Sequence, residues 1–359
     1  MATDNLKIAF VGTGIMGAPI AGHILDAGYE VTVYSRTQAK AAALIERGAQ
    51  WADSPAAAAE GADVVFTMVG FPTEVEEVYL SGDGLLASAK DGAYLVDLTT
   101  SSPELARDIA EAAETMGKHA FDIPVTGGEA GAIAGTLTLI AGATERDIEA
   151  IRPVLETFSR TIFCFGGAGK GQAAKLANQV ALASSMVGMA DALSLAEQSG
   201  LDLAQTRAMI LGGTGASGAM ENLAPKALEG DWKPGFMVQH FLKDIGLALQ
   251  LAEEKEIALP GADTAFTLYD MLDAIGGGSL GTQAITLLYQ EEAEAVAAGL
   301  DWSLYQHGHE HEDGCGHGHG DDHECACGHG HGDDHECTCG HDHGHDHGHE
   351  CACGHDRAE

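Results

Sequence analysis

A glycine-rich turn lies between a strand pattern and a helix pattern near the start of the chain, and this order limits the folds that the chain can adopt. The run Lys7 to Val11 predicts a buried strand, and a helical pattern follows to about residue 27. The first glycine of such a turn permits a tight bend, the second lets backbone N–H groups approach a pyrophosphate, and the third lets the helix pack closely against the strand. We therefore predict a dinucleotide-binding turn rather than a purely structural one, formed by Gly12, Thr13, Gly14, Ile15, Met16 and Gly17.

The end of the second predicted strand, residues 30–34, indicates which dinucleotide binds. An acidic side chain at this place accepts hydrogen bonds from the ribose 2′-hydroxyl of NAD(H). This chain instead has Ser35, Arg36 and Thr37, followed by Lys40. Hydroxyl, guanidinium and ammonium groups suit a 2′-phosphate, so we predict NADP(H), with NAD(H) as the alternative. Ser35 or Thr37 could also cap the next helix while Arg36 is solvated, and the two interpretations are compatible.

Short apolar runs alternate with helical patterns through the first half of the chain. Further strands are predicted at residues 64–69, 94–97, 120–125, 137–141 and 161–165. The alternation predicts an α/β fold, a doubly wound and mostly parallel sheet with helices on both faces. Ligands of such sheets bind beyond the carboxyl ends of the strands. The site should therefore include three loops, at residues 69–73, 99–103 and 126–132, the first of which begins at Val69.

The spacing of apolar residues changes after residue 169. Strand patterns stop, and apolar residues recur at helical spacing to about residue 300, with breaks at glycine and proline clusters. We predict a Rossmann-type NADP-binding domain over residues 1–166, an all-α domain over residues 167–305 and a tail over residues 306–359. A ligand site is expected between the first two domains.

Lys175 lies at the start of the predicted all-α domain, just after a glycine-rich turn. Asn178 and Gln179 follow it by three and four positions, so the three side chains share one face of a helix. An ammonium group beside two amides can donate a proton to a carbonyl oxygen that the amides hold. The ordinary alternative is an exposed surface lysine.

The tail differs in composition from the rest of the chain. It holds 15 of the 18 histidines and 7 of the 8 cysteines, and residues 316–353 of it form three similar glycine-rich repeats. Thiolate and imidazole ligands suit Zn²⁺, Ni²⁺, Co²⁺ or Cu⁺. We predict a disordered metal-binding tail whose Ni or Zn ions are not catalytic, the alternative being a solvated extension that collects metal adventitiously. The predicted ligands are His323, Cys325, Cys327, His335, Cys337, Cys339, His349, Cys351 and Cys353.

Charge and hydropathy exclude several kinds of partner. The formal net charge is −36, to which 14 acidic residues and one arginine in residues 307–359 contribute −13. A strongly acidic surface disfavours binding to nucleic acid or to an anionic membrane. The sequence has no run of about 18 uninterrupted apolar residues, and its first residues lack the pattern of a signal peptide. We therefore expect a cytoplasmic protein with no nucleic-acid or membrane partner.

The order of four motifs gives a resemblance to a known family. The motifs are, in chain order, the nucleotide turn, the run Asp122 to Gly128, the Lys175 helix and the run Phe236 to Asp244. With these motifs in this order, residues 7–305 resemble the β-hydroxyacid dehydrogenases. The resemblance implies reversible hydride transfer between a nicotinamide cofactor and the β-carbon of a short carboxylic acid, of the 3-hydroxyisobutyrate or tartronate semialdehyde type. It also implies a homodimer or homotetramer built through the helical domain.

The resemblance also assigns roles to individual residues. Lys175 matches the catalytic lysine, and Asn178 and Gln179 are expected to orient it and the substrate carbonyl. Lys243 matches a lysine on the cofactor side of the cleft, although it could instead form a surface ion pair with Asp244 or Glu254. Thr100 matches a threonine that contacts the cofactor, and Phe236 matches an aromatic side chain that lines the site. The loop that holds the substrate carboxylate in the family is matched by Thr126, Gly127 and Gly128. The alternative function is a metal-storage or metal-delivery protein built on a dehydrogenase body.

Overall fold

Six short strands form a parallel sheet in the first part of the chain. The computed structural model describes residues 6–308, and the sheet has the strand order β3-β2-β1-β4-β5-β6. The order reverses between β1 and β4, so the ligand crevice of this sheet lies beyond the carboxyl ends of these two strands. The strands are β1 (Lys7–Val11), β2 (Glu30–Tyr34), β3 (Gln50–Trp51), β4 (Val64–Thr67), β5 (Tyr94–Asp97) and β6 (His119–Asp122).

A second, three-stranded sheet follows, made of β7 (Val125–Thr126), β8 (Leu137–Ala141) and β9 (Ser159–Cys164). β7 pairs antiparallel with β8, and β8 pairs parallel with β9. The prediction of one strand over residues 120–125 is wrong, because β6 and β7 belong to different sheets. Pro124 separates them, and a residue without a backbone N–H cannot continue the hydrogen-bond ladder of a central strand.

Helices cover both faces of the parallel sheet, as the alternation of patterns predicted. Successive residues of β1 point to opposite sides, with Ile8 and Phe10 in one hydrophobic cluster and Ala9 and Val11 in the other. The prediction of a doubly wound α/β fold is therefore confirmed. The helices are α1 (Gly17–Asp26), α2 (Ala42–Glu46), α3 (Pro55–Ala59), α4 (Pro72–Leu80), α5 (Leu85–Ser88), α6 (Pro103–Thr115), α7 (Gly128–Ala134) and α8 (Arg152–Leu155), with a 3₁₀ helix at Gln38–Ala41.

The rest of the described chain is helical, which confirms the predicted all-α part. Its helices are α9 (Lys170–Gln198), α10 (Leu203–Leu211), α11 (Gly218–Asn222), α12 (Ala224–Leu228), α13 (Val238–Glu254), α14 (Pro260–Ala274), α15 (Glu292–Ala297) and α16 (Ser303–Gly308), with 3₁₀ helices at Gly277–Ser279 and Thr282–Tyr289. α9 is long and apolar enough to span a membrane by length and composition alone. In this protein it is the central helix, in contact with α10, α11, α13 and α14.

Residues 6–306 form one compact unit, and the division of this unit at residue 166 stays a prediction. The predicted metal ligands of the tail, from His323 to Cys353, lie outside the described residues. Among residues 6–308 there is no cluster of three or more His, Cys, Asp or Glu side chains that could hold a metal ion. Cys164 is a half-buried free thiol in the described part of the chain.

Candidate active site

The nucleotide turn has the backbone geometry that its glycines predict. Gly12 has a φ of 102°, and a Cβ atom there would collide with the carbonyl oxygen of Met68. A Cβ atom on Gly17, the first residue of α1, would collide with the carbonyl oxygen of Gly12. Gly14 has open space on its Cβ side, and the hydroxyl of Thr13 is buried without a hydrogen-bond partner. An open backbone turn with an unpaired hydroxyl fits a pyrophosphate.

The other residues of the turn differ in exposure. Ile15 is exposed, whereas Met16 is half-buried and packs against the core of the sheet. Neither side chain makes a polar contact, so any contribution to binding a dinucleotide comes from the backbone and from apolar surface.

The residues after β2 lie at the same edge of the sheet. Ser35 is buried, while Arg36 and Thr37 are exposed. Arg36 Nη1 lies 2.5 Å from Glu74 Oε1, so the guanidinium already has an ionic partner. Thr37 precedes the 3₁₀ helix Gln38–Ala41, but its side chain makes no capping hydrogen bond. The capping interpretation of Thr37 is therefore wrong.

Loops after β4 and β5 are joined by hydrogen bonds beside the crevice. The N–H of Val69 donates to Thr99 Oγ1 at 3.0 Å, and the N–H of Thr99 donates to Asp97 Oδ1 at 3.0 Å. Asp97 also accepts from the hydroxyl of Thr67 at 2.9 Å. Burial raises the pKa of Asp97 to about 6, against the effect of the bonds from Thr99 and Thr67. These contacts fix the position of Val69 and of the backbone near Thr100.

A buried carboxylate holds the start of α9 against the ends of the strands. Asp122, the last residue of β6, accepts hydrogen bonds from the N–H groups of Gly169 at 2.9 Å and Gln172 at 2.8 Å. The Gln172 side chain accepts from the N–H of Ser101 at 2.9 Å and donates to the carbonyl oxygen of Thr99 at 2.8 Å. These contacts tie α9 to the loop after β5.

Asp122 and Gln172 were not predicted to have these roles, although the sequence carries a signal for each. Asp122 is a carboxylate directly at the end of a strand. Gln172 lies three residues before Lys175 and so on the same helix face. Neither pattern identifies the partner residue, which depends on how α9 packs.

The Lys175 side chain ends in a buried hydrogen-bonded cluster. Its Nζ donates to Gln179 Oε1 at 2.9 Å, and Asn178 Nδ2 donates to the same oxygen at 2.9 Å. Gln179 Nε2 in turn donates to Asp244 Oδ2 at 2.6 Å. Lys175 is 7% exposed. Burial lowers the pKa of its ammonium to about 8, helped by the charge of Lys243 and opposed by that of Asp244.

Lys243 connects this cluster to the loop after β5. Its Nζ lies 2.8 Å from Asp244 Oδ1 and donates to the carbonyl oxygen of Thr100 at 2.6 Å. The predicted pairing with Asp244 is present, but as a buried pair rather than a surface one, and no ion pair with Glu254 forms. Asp244 was predicted only as a possible partner of Lys243, because its contact with Gln179 depends on α13 packing against α9.

The predicted carboxylate loop and Phe236 lie apart from the hydrogen bonds of this cluster. Gly127 and Gly128 have φ values of 127° and 62°, a region that favours glycine. The hydroxyl of Thr126, at the end of β7, makes no hydrogen bond to any residue of the described chain. The ring of Phe236 is half-buried, with its centroid 5.4 Å from that of Phe241.

Five of the predicted site residues thus lie together in the structure. Hydrogen bonds join them, and the carboxylate of Asp244 links Gln179 to Lys243. The five are Lys175, Asn178, Gln179, Lys243 and Thr100. A buried amine with a pKa near neutrality, next to the cofactor side of a Rossmann-type sheet, can exchange a proton with a reacting oxygen.

Two family models match consecutive parts of the chain. Residues 7–166 match the model described as the NAD binding domain of 6-phosphogluconate dehydrogenase. Residues 169–289 match the model described as NAD-binding of NADP-dependent 3-hydroxyisobutyrate dehydrogenase. The first match contains the nucleotide turn, and the second contains the Lys175 cluster.

Three proteins illustrate what the chain is similar to. An uncharacterized oxidoreductase of Bacillus subtilis is 44% identical over 282 residues, which cover 79% of this chain and 98% of the relative. A 3-hydroxyisobutyrate dehydrogenase of Pseudomonas aeruginosa is 39% identical over 306 residues, which cover 83% of this chain and 97% of the relative. The solved structure of Mycobacterium tuberculosis 3-hydroxyisobutyrate dehydrogenase with L-serine has a TM-score of 0.73 and 32% identity, and the match covers 80% of this chain and 100% of that one. The chain therefore belongs to the β-hydroxyacid dehydrogenase family and is an NAD(P)-dependent oxidoreductase that acts on CH–OH donors.

Proposed function

We propose that this enzyme transfers a hydride between NADP(H) and a short β-hydroxy acid or its semialdehyde, of the 3-hydroxyisobutyrate or tartronate semialdehyde type. The observation that carries the proposal is the buried Lys175 ammonium, whose pKa is lowered to about 8 and whose position is fixed by Gln179. A lysine in this state can act as both general acid and general base near neutral pH.

Lys175 serves a different role in each direction of the reaction. When bound, the nicotinamide cofactor supplies or accepts the hydride. In reduction, the Lys175 ammonium donates a proton to the oxygen of the substrate carbonyl. In oxidation, the neutral amine accepts the proton of the substrate hydroxyl. Gln179 holds Nζ in place through a 2.9 Å hydrogen bond, so the amine does not have to be oriented during the reaction.

The substrate carboxylate has a suitable partner in the loop after β7. The hydroxyl of Thr126 has no hydrogen-bond partner in the described chain, and the glycine backbone of Gly127 and Gly128 leaves N–H groups accessible to an anion. Phe236 adds apolar surface on the helical side. A short acid is favoured because the names of similar proteins refer to 3-hydroxyisobutyrate and to L-serine.

NADP(H) is favoured by the side chains after β2. Ser35, Arg36, Thr37 and Lys40 offer hydroxyl groups and positive charge to a 2′-phosphate, and no acidic side chain lies among them. The description of the second matching family also refers to an NADP-dependent enzyme. The open turn at Gly12, Gly14 and Gly17 would hold the pyrophosphate.

A panel of substrates and cofactors tests this function. Absorbance at the nicotinamide band is followed with 3-hydroxyisobutyrate, glycerate, tartronate semialdehyde, succinic semialdehyde and glyoxylate, each with the NADP(H) and NAD(H) couples. We expect turnover with at least one β-hydroxy acid or its semialdehyde, and a higher kcat/KM with NADP(H). Turnover confined to NAD(H), or absent with every member of the panel, would contradict the proposal.

A second function is favoured by the composition of the tail. Three His-x-Cys-x-Cys sequences, beginning at His323, His335 and His349, offer thiolate and imidazole ligands for Ni²⁺ or Zn²⁺ in storage or delivery. Removing residues 307–359 tests it against the full chain by metal titration and by turnover. We expect loss of metal binding with kcat unchanged, whereas unchanged metal stoichiometry would exclude the tail as the metal site.

We also propose that the enzyme is a homodimer or homotetramer built through its helical half. The motivation is the family resemblance, and light scattering of the purified full chain gives the mass directly. A monomeric mass at micromolar concentration would exclude this assembly.

A further inference from the structure

The guanidinium proposed to hold the cofactor's 2′-phosphate is already bound to a carboxylate. Arg36 follows β2 and Glu74 lies in the first turn of α4, which follows β4. The two strands lie on opposite sides of β1, so the 2.5 Å ion pair crosses the carboxyl end of β1, where the nucleotide turn begins. Glu74 therefore lies beside the predicted nucleotide turn, although it is far from Arg36 in sequence.

Backbone hydrogen bonds hold Glu74, whereas the Arg36 side chain is largely exposed. Glu74 Oε2 accepts hydrogen bonds from the N–H groups of Gly70 at 2.7 Å and Phe71 at 3.2 Å, so the carboxylate caps the start of α4. Its side chain is 18% exposed, whereas that of Arg36 is 80% exposed. An incoming anion can draw the guanidinium away, but the carboxylate stays where it is.

This arrangement affects the two cofactors differently. A 2′-phosphate must compete with Glu74 for the guanidinium, and it must also bind near a fixed negative charge. A free 2′-hydroxyl carries no charge, so it needs neither the guanidinium nor distance from the carboxylate. Glu74 consequently weakens NADP(H) binding without a matching effect on NAD(H).

We propose that Glu74 is a specificity-determining residue that narrows the enzyme's preference for NADP(H) over NAD(H) by competing with the 2′-phosphate for Arg36. The inference rests on the proposed NADP(H) function and deepens it. It assigns the strength of the preference for NADP(H) to a residue of α4, outside the segment after β2 that contains Arg36.

Glu74→Gln separates the charge of Glu74 from its capping role. Glutamine at this position of a helix still accepts the N–H bonds of the first turn, so the loop at Gly70 and Phe71 is expected to keep its conformation. Glu77→Gln is the matched control, because it removes the same charge from an exposed position of the same helix. Thermal unfolding of both variants verifies that the fold is kept.

Calorimetric titration of the full-length variants with NADP⁺ and NAD⁺ gives the test. We expect Glu74→Gln to tighten NADP⁺ binding about fivefold, the equivalent of one exposed ion pair, and to change NAD⁺ binding by less than about twofold. Glu77→Gln should change neither. In an Arg36→Gln background the gain from Glu74→Gln should fall below about twofold, since the competition is gone.

Three results overturn the inference. NADP⁺ binding that weakens in Glu74→Gln would show that Glu74 presents Arg36 to the phosphate. Equal changes for both cofactors would show an effect on the loop rather than on the 2′ position, and an unchanged Kd for NADP⁺ would show no role. Failure of the proposed function is distinguishable, because the wild-type protein would then bind no NADP⁺ or turn over no substrate with it.

Discussion

Three features of its surroundings set the pKa of Lys175, and they do not all act in the same direction. Burial favours the neutral amine, and the cation of Lys243 acts in the same direction. The carboxylate of Asp244 favours the ammonium, and it is joined to Lys175 through the Gln179 amide. Replacing Asp244 should therefore change the pKa of Lys175, although the two side chains are joined only through Gln179.

Asp244→Asn is predicted to lower the pKa of Lys175 below its present value of about 8. The substitution removes a negative charge that favours the ammonium and leaves Lys243 without its ionic partner, while an amide oxygen still accepts the bond from Gln179. The pH dependence of kcat for alcohol oxidation, which needs the neutral amine, should shift to lower pH. Asp270→Asn, at an exposed position on α14, is the control. A profile that stays in place or moves to higher pH would contradict this account.

The sequence predicted the members of this cluster that lie on one helix. Lys175, Asn178 and Gln179 share a face because of their spacing, which needs no knowledge of tertiary structure. Asp244 and Glu74 were not predicted as site residues, because each acts through a partner far away in the chain. Gln179 is expected to orient both Lys175 and the substrate carbonyl. Its oxygen accepts from Lys175 and Asn178, and its amide nitrogen donates to Asp244.

At the scale of elements, the start of α9 decides where Lys175 lies. A Cβ atom on Gly171 would lie 2.5 Å from the carbonyl oxygen of Asp122 and 2.6 Å from backbone atoms of Ile140 and Gly142. The first turn of α9 therefore packs directly against the backbone at the ends of β6 and β8. Only glycine allows this approach.

Gly171→Ala is predicted to destabilise the protein by about 1–3 kcal/mol and to lower kcat. Alanine is a better helix former than glycine by about 1 kcal/mol, but the clashing atoms belong to strand backbones and cannot move aside. Gly188→Ala in the same helix has open space around its Cβ and should be neutral or slightly stabilising. Denaturant unfolding and steady-state kinetics measure both, and a Gly171→Ala variant as stable and active as Gly188→Ala would contradict the packing argument.

Strands with strong apolar patterns were predicted with their observed bounds, as β1, β2, β5 and β8 show. The strand predictions failed where a strand forms because of its pairing with neighbouring strands rather than because of its own apolar pattern. β3 and β7 have two residues each and exist through their neighbours. Pro124 is the sequence signal for the break between β6 and β7, because proline rarely continues a central strand.

For the whole molecule, Asp97 links the stability of the sheet to pH. Burial raises the pKa of Asp97 from 3.8 to about 6 in the folded state. The folded protein therefore binds this proton more tightly than the unfolded chain does. The resulting stabilisation is fully present below about pH 4 and is lost as the pH rises through about 6.

Wild-type protein is predicted to lose about 2 kcal/mol more of its unfolding free energy than Asp97→Asn between pH 4.5 and pH 7.5. Asparagine cannot release a proton but still accepts the bonds from Thr67 and Thr99. Urea unfolding of both proteins at the two pH values measures the difference, which cancels the contributions of the other carboxylates. A wild-type protein that instead gains stability relative to the variant at pH 7.5 would contradict the raised pKa.

The general architecture was predictable because hydrophobic periodicity changes once along the chain, near residue 169. The acidic charge and the composition of the tail were equally evident from the sequence. What periodicity does not contain is the set of contacts between the sheet and the helices. The bond from Lys243 to the carbonyl oxygen of Thr100 joins residues far apart in the sequence and follows only from packing.

We infer that Lys175 exchanges a proton with the reacting oxygen, and the Lys175→Ala variant tests this claim. With the best substrate of the panel, we predict a fall in kcat of about 10²- to 10⁴-fold, while calorimetric binding of NADP⁺ and the unfolding free energy stay close to their wild-type values. A Lys175→Ala enzyme that keeps wild-type kcat would contradict the claim.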